Sequence, residues 1–459
     1  MSNSLYSSLL QPDLRQMVAE NDDAGLHEFC QALFPSVAAE VLEDVEPEAA
    51  WSVLSHCDPE RQAEIFQYLT LPAQVRLVDR IDRRSLSRII EQLPADDRVD
   101  LLERLDPERV EDVLPLVAQA ERSDIRKLLS YPDESAGSIM TTEYASLPAN
   151  ITVEEALKRL RLQAPRAETI YYVYVTDEDR RLTGCLSLSE LIQSRPAALL
   201  SDVMERDLIS VKVDEDQEAV ANKMLRYDFI AIPVVDADNK LVGIVTHDDA
   251  ADVLQEEATE DAQMLAAVAP LEDSYLQTPF LTLAWKRGIW LVILLGAASL
   301  TAQVLSILES VYFQPVQSRN WMVLFFPLVL ASGGNAGSQS ATLVIRAMAL
   351  RETDGKVRQI VWREFRIGLL LGTILGSLAF TVGCWLVGQN DRAARVGLSV
   401  FLVVSLGTVW GSVLPLGLRK AGMDPALMSN PLIAAISDML GVVTYYSIAY
   451  RLVEGVLPV

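Results

Sequence analysis

MSNPLIAAISDMLGVVTYY, residues Met428–Tyr446, is apolar enough to cross a bilayer yet carries one carboxylate, Asp438. From Asn430 to Leu452 the only other charge is Arg451, which lies close enough to the end of a spanning helix for its guanidinium to reach the interface. Asp438 has no such exit. An ionised carboxylate at that depth costs roughly 2.5–3.5 kcal/mol on insertion scales, so it must face water, a cation or a protein partner. Asn430 suits an N-cap, and Pro431 at the first helical position gives up only an N–H that has no partner there. Asn430, Ala434, Asp438 and then Gly441 or Val442 share one stripe of such a helix, polar or small along its length as a pore wall would be. The stretch reads as the charged half of a cation pathway.

A second unusual stretch, Phe326–Gln339 (FPLVLASGGNAGSQ), lies in the apolar segment from Trp321 to about Leu350. Pro327 removes a helical hydrogen bond, and Gly333, Gly334 and Gly337 around Asn335 weaken a helix further. Irregular backbone survives at membrane depth only where protein or a watery cavity surrounds it. Freed carbonyls with the Asn335 and Gln339 side chains would then supply uncharged oxygen ligands. Taken alone, the glycines fit tight helix packing better. Together with Asn335, Gln339, Pro327 and Asp438, they point to the pathway.

GGNAGSQSATLVIRAMA (Gly333–Ala349) and DPALMSNPLIAAISDMLGVVTYY (Asp424–Tyr446) resemble the two signature segments of the MgtE family of magnesium channels and transporters, and the resemblance extends over nearly the whole chain. It implies a multidomain membrane protein. The expected parts are an all-α superhelical N-terminal domain (1–133), an α/β tandem pair of cystathionine-β-synthase (CBS) domains (134–261), a connecting plug helix (262–287) and a pore domain of five transmembrane helices (288–459). It also implies transport rather than enzymatic chemistry.

The chain has 459 residues, half of them hydrophobic, and its charge is divided. From residue 284 onward 14 Lys and Arg face 8 Asp and Glu, a balance of +6, whereas the first 283 residues carry 25 against 55, a balance of −30. An acidic block joined to a basic membrane block argues against nucleic acid and for cations as partners of the former, although an acidic surface also serves plain solubility. The first twenty residues contain Asp13, Arg15 and Glu20 and no apolar run, so no signal peptide is expected and this end should stay in the cytosol. Cys30, Cys57, Cys185 and Cys384 lack metal-site spacing, which predicts reduced thiols and no zinc site. His27, His56 and His247 are equally scattered.

Residues 1 to about 133 show apolar residues at three-four spacing, broken at Asp58-Pro59, Leu71-Pro72, Ile81-Asp82, Leu93-Pro94 and Leu105-Asp106-Pro107. Each break begins a new helix, which predicts a solenoid-like stack suited to binding or regulation. Asp96 and Asp97 read as N-caps. Residues 134–261 then hold an imperfect duplication: strand Ile170–Val175, an acidic turn and strand Leu182–Ser187 are matched by Ile230–Val235, a turn and Leu241–Thr246, with Gly184 and Gly243 equivalent. SIMTTE at Ser138 and SDVMER at Ser201 open the two copies. The layout resembles a CBS pair, and Thr246 with Asp249 resembles the T-x-x-D ribose contact of nucleotide-binding members. That predicts one adenine nucleotide such as ATP per chain at most, against an empty structural pair.

Asp248, Asp249, Asp252, Glu256, Glu257, Glu260 and Asp261 crowd the end of the second copy, and like charges at helical spacing repel unless neutralised. They are either a solvated face or a cation-sensing surface. The family resemblance favours the second and implies regulatory magnesium at Asp228, Asp249, Asp252, Glu257, Glu260, Asp261 and Asp424, with Glu218 and Asp97 by a looser match. In the pore it implies metal contacts from Asp438, Ala434, Asn430 and Asn335.

An amphipathic connector is expected between Pro270 and Pro279. Five spans follow near 288–308, 321–349, 366–388, 396–418 and 430–452, each long enough to cross. Lys286, Arg287, Arg346, Arg351, Lys356, Arg358, Arg363, Arg366, Arg419 and Lys420 fall on one side, and Arg319, Arg392, Arg395 and Arg451 on the other. This places the N-terminal half in the cytosol, under a plasma (inner) membrane, and the C-terminus outside. Gly368, Gly372 and Gly376 form a small-xxx-small face for close packing. Mg²⁺ prefers hard oxygen in octahedral geometry and dehydrates reluctantly, so a pore can pass it hydrated. One carboxylate supplies half the charge required; a two-fold homodimer, which the family resemblance also implies, supplies both. The reading is thus a lipid-embedded homodimeric Mg²⁺ channel closed by Mg²⁺ on its acidic cytosolic domains. A broader Mn²⁺ or Co²⁺ route, or a membrane-tethered nucleotide-sensing regulator, are its alternatives.

Overall fold

The computed structural model describes residues 5–164, 167–271, 275, 278–312, 320–349, 353, 355–425 and 430–454. The chain forms two compact units, Met1–Glu256 and Glu257–Val459.

The first unit begins with short helices from α1 (Leu5–Glu20) and α2 (Asp23–Ala32) through α4 (Pro47–Leu54), α5 (Pro59–Gln67) and α7 (Arg83–Gln92) to α8 (Ala95–Arg104), α9 (Pro107–Val113) and α10 (Gln119–Leu128). The breaks read from the sequence are where these helices begin. Proline at the first positions of α4, α5 and α9 loses no intrahelical bond there. Asp82 caps α7 by accepting from the Arg84 and Ser85 amides at 3.0 and 3.1 Å. One apolar core runs from Leu14 to Ile125 through the stack. Cys30 and Cys57 correct the expectation of reduced thiols. Packing of α2 beside the end of α4 brings their Cα atoms to 5.7 Å, and the two are joined as a disulfide. Their spacing of 27 residues hides this from the sequence.

The duplication follows as two three-stranded sheets. In the first, β1 (Tyr144–Pro148) runs parallel to β2 (Thr169–Thr176), which pairs antiparallel with β3 (Leu182–Ser187). In the second, β4 (Val211–Lys212), β5 (Ala231–Val235) and β6 (Leu241–Thr246) repeat the pattern. The sequence reading missed β1 and β4. It also assigned the lead segments to their own copies, whereas the structure crosses them over. Thr141 exchanges backbone bonds with Ile244 of the second copy, and Glu205 with Cys185 of the first. The matched glycines make this possible: a Cβ on Gly184 would stand 2.5 Å from Met204 Sδ, and one on Gly243 2.5 Å from Met140 Sδ. Helices α11 (Val153–Gln163) and α14 (Gln217–Tyr227) cover the sheets, and α15 (His247–Leu265) leads out of the second copy.

The second unit is built from α16 (Phe280–Tyr312), α17 (Asn320–Ala349), α18 (Val357–Val387), α19 (Asn390–Lys420) and α20 (Asn430–Glu454). Among the described residues four of these, α16, α18, α19 and α20, are long and apolar enough to span a membrane. The amphipathic connector expected between Pro270 and Pro279 lies largely outside the described residues. The helix preceding that stretch is α15, which ends at Leu265, and α16 begins one residue after Pro279. The glycine ladder of α18 packs on α19 as read: a Cβ on Gly376 would lie 2.7 Å from the Gly397 carbonyl, and one on Gly397 2.7 Å from that of Gly376. Two backbones so close exclude any side chain between them.

Candidate ion pathway and cytosolic acidic cluster

In the second unit α20 lies along α17. Ser338 Oγ donates to the Asn430 carbonyl at 3.1 Å, and Thr342 Oγ1 donates to Asn430 Oδ1 at 3.0 Å. The first residue of α20 is thus pinned by both its backbone and its side-chain oxygen. One and two turns on, Ala434 and Asp438 meet Gly334, where an added Cβ would stand 3.4 Å from Asp438 Oδ1 and 3.5 Å from Ala434 Cβ. The next contact down the pair is Gly337, whose added Cβ would lie 2.7 Å from Ser437 Oγ. That buried hydroxyl has no hydrogen-bond partner among the described residues. Asp438 itself is half-buried, and Asn335 and Gln339 of α17 are exposed on the surface of the chain.

The structure therefore brings Asp438, Ala434 and Asn430 onto one face of α20, as the spacing predicts, and sets that face against α17. It corrects the expectation of a broken α17. The helix runs without interruption through Pro327 and the glycines, and the glycines act as packing surfaces. Pro327, having no N–H, still leaves the carbonyl one turn earlier without its helical donor, but the glycines free none, so at their level the oxygen that α17 can turn toward a cation comes from its side chains.

The first unit gathers a different set. Asp96 and Asp97 sit in the first turn of α8, after Pro94, and neither caps the helix. Burial, then the charges of Asp249, Asp97 and Glu168, hold the Asp96 carboxyl well above the usual range. Burial and the neighbouring Asp100, Asp249 and Glu168 push Asp97 up to about 7. Asp100 and Glu168 keep an exposed edge, yet partial desolvation with the charges of Glu103, Glu256 and Asp249 raises Asp100 to about 6, and partial desolvation with those of Glu143, Asp249 and Asp248 raises Glu168 to about 7. Asp249, Asp252 and Glu256 are raised as well, burial being the first cause each time. Arg98 reaches into the same region. Its Nη2 donates to Glu143 Oε1 at 2.8 Å and its Nε to the Leu93 carbonyl at 2.7 Å.

Asp249 has a local task too. Thr246 Oγ1 donates to its carboxylate at the start of α15, the counterpart of the Ser187–Glu190 capping box in the first copy. The T-x-x-D spacing thus has a structural use that the sequence alone does not reveal. Of the remaining candidates, Glu218 lies in the first turn of α14, and Asp228 ends that helix, exposed and left-handed at φ 56°. In the second unit, burial, Asp424 and Glu260 raise Asp261, and Arg346 lowers it, so these acids form a further group. The sequence reading named Asp248 with Asp249 but missed Asp100 and Glu168 as members of the first cluster. Asp96, Asp97 and Asp100 at helical spacing were the available signal. Among the described residues no three His, Cys, Asp or Glu side chains already converge as a metal site.

A family model described as a divalent cation transporter matches residues 326–448. One described as the MgtE intracellular N domain matches 33–134, and the CBS domain model matches 136–196 and 200–256. The magnesium transporter MgtE of Thermus thermophilus is 37% identical over 97% of this chain and 99% of its own length. The Enterococcus faecalis protein of the same name is 39% identical over 72% of this chain and 71% of its own. Among solved structures, the soluble part of a magnesium transporter covers 55% of this chain and 99% of its own at 33% identity, with a TM-score of 0.51. The cytosolic domain of the Mg²⁺ channel MgtE in complex with ATP covers 53% and 100% at 36% identity, with a TM-score of 0.51.

Proposed function

The chain belongs to the MgtE family of magnesium transporters, and on that premise we propose that two copies form a Mg²⁺ channel with Asp438 of each at its selectivity site. The observation that carries this reading is the packing of α20 on α17 at Gly334. A glycine there lets a helix bearing a carboxylate approach closely while Asn335, the next residue, stays open to the surface. Two Asp438 carboxylates match a divalent cation and end the isolation of each charge. Mg²⁺ keeps most of its water, so Asp438 holds the hydrated ion electrostatically, and Asn335, Asn430 and the backbone at Ala434 receive its water ligands.

The acidic cytosolic residues close the channel by binding Mg²⁺. Asp97, Asp249, Asp252, Glu257, Glu260, Asp261 and Asp424, with Glu218 and Asp228, form weak sites whose occupancy favours a compact state. Reversing a 1:99 equilibrium requires about 5.5 kcal/mol, which four or five sites supply at roughly 1–1.5 kcal/mol each. The CBS pair takes ATP through Thr246 and Asp249; a cytosolic domain of this family solved with ATP supports that reading. The four segments are 1–133, 134–261, 262–287 and 288–459. The N-terminal half lies in the cytosol and the C-terminus outside, as the distribution of Lys and Arg favours.

The test is ion flux into liposomes holding the purified protein. Mg²⁺ entry that Asp438→Asn abolishes supports the channel. Equal entry of Mn²⁺ or Co²⁺ would replace it with a broad divalent route, and undiminished Mg²⁺ entry in the variant would remove Asp438 from the site.

A further inference from the structure

The buried face of α18 consists of small residues, Gly368, Gly372, Gly376, Ala379 and Gly383, and one carboxylate, Glu364. Glu364 stands one turn before the first glycine and is 8% exposed, while the neighbouring Arg358, Arg363 and Arg366 are exposed. The glycine ladder already packs α18 on α19, so helix packing alone does not call for a buried acid, which is costly wherever water is excluded.

Its contact points elsewhere. Ser340 Oγ of α17 lies 2.8 Å from Glu364 Oε2 and 2.8 Å from the Thr408 carbonyl of α19. Ser340 and Thr408 are buried as well. One hydroxyl thus joins three helices at a point where α17 and α18 otherwise scarcely meet, each packing chiefly on α19. Next to this junction Ser405 Oγ donates to the Gly368 carbonyl at 3.2 Å, which ties α18 to α19 one turn further in. From Ser340, α17 leads back three residues to Gly337 and six to Gly334, the two surfaces on which Ser437 and Asp438 rest. A helix rises 1.5 Å and turns about 100° per residue, so a screw of α17 by one residue in one direction would set the Asn335 side chain in place of Gly334 opposite Asp438.

We propose that Glu364 is a positioning residue for the Asp438 site: through Ser340 it fixes the axial and rotational setting of α17, and with it the gap at Gly334. This rests on the reading of Asp438 as the selectivity site. The full-length protein in liposomes, with Asp438→Asn alongside, tests both. The readouts are maximal Mg²⁺ flux, the half-saturating Mg²⁺ concentration and the ratio of Mg²⁺ to Co²⁺ flux. Glu364→Ala lowers that ratio at least fivefold and shifts half-saturation. Ser340→Ala does the same, and the double variant is no worse than either single one. Glu364→Gln, which keeps the shape and a hydrogen-bonding group, restores the wild-type ratio. If Glu364→Ala yields no folded protein, Ser340→Ala and Glu364→Gln carry the test.

Variants that lose maximal flux while keeping the wild-type ratio and half-saturation would show a merely structural acid and overturn the proposal. So would a Glu364→Gln variant as altered as Glu364→Ala, because charge and not the tether would then matter. Wild-type flux in Asp438→Asn would overturn the reading of Asp438 and this proposal with it, whereas an inactive Asp438→Asn beside a normal Glu364→Ala overturns this proposal alone.

Discussion

The two units use carboxylates under opposite conditions. In the first, Asp96, Asp97, Asp100, Glu168 and Asp249 act on one another across α8, the CBS pair and α15, and burial plus mutual repulsion disfavours their ionised forms. On α20 of the second, Asp438 is the one acid before the terminal Glu454, and it is set by contact with Gly334 of α17. A crowd of strained acids responds collectively to whatever cation relieves it. A single acid on a rigid helix pair responds only to an ion of the right charge and size. The first arrangement suits sensing and the second suits selection.

The largest effect expected is at the lone acid. Asp438→Asn lowers Mg²⁺ flux a hundredfold or more, equivalent to about 2.7 kcal/mol, and leaves thermal stability equal or higher because a half-buried charge is gone. Flux with an entrapped Mg²⁺ indicator, beside a melting curve, checks both halves. Next is the backbone that sets it. Gly337→Ala puts a methyl 2.7 Å from Ser437 Oγ and 3.3 Å from the Gly407 carbonyl, so α17 must shift, which costs about 1–3 kcal/mol. Gly334→Ala makes ordinary contacts of 3.4 and 3.5 Å and is tolerated in stability while it narrows the site. A matched pair of melting curves and flux rates distinguishes them, and equal loss of stability would erase the distinction between the two glycines.

Much of this was legible in residues. Asp438 stood out because nothing else charged shares its apolar run except Arg451, and the α18 ladder was readable from glycines four apart. Continuity of α17 was not readable, because proline and glycine weaken a helix in water, whereas here α19 and α20 pack on both sides and keep it whole. The crossing of Met140 and Met204 onto opposite copies depends on tertiary pairing that a repeat alignment cannot express. Glu168 joined the acidic cluster only through the fold. Glu364 was readable in principle, four residues before Gly368, but arginines on either side made it look like a surface charge.

The smallest effect expected is in the cluster's response to protons. Asp97 and Glu168 are raised to about 7 and Asp100 to about 6, so the compact first unit binds more protons than the unfolded chain between about pH 4 and 7. Its stability therefore increases as pH falls through that window and decreases as pH rises toward 7. Limited proteolysis in chelator slows from pH 7.5 to 6, and added Mg²⁺ protects less at pH 6 because protons already occupy the same carboxylates. Faster cleavage at pH 6 would mean that these acids are not strained in the compact state.

The division of labour between the two regions is tested most directly by patch recording from the variant in which Asp249, Asp252 and Asp261 become Asn and Glu257 and Glu260 become Gln. Wild-type conductance with an open state that persists as cytosolic Mg²⁺ is raised is the predicted result. Closure over the wild-type Mg²⁺ range would contradict it and leave the acidic cluster a solvated surface.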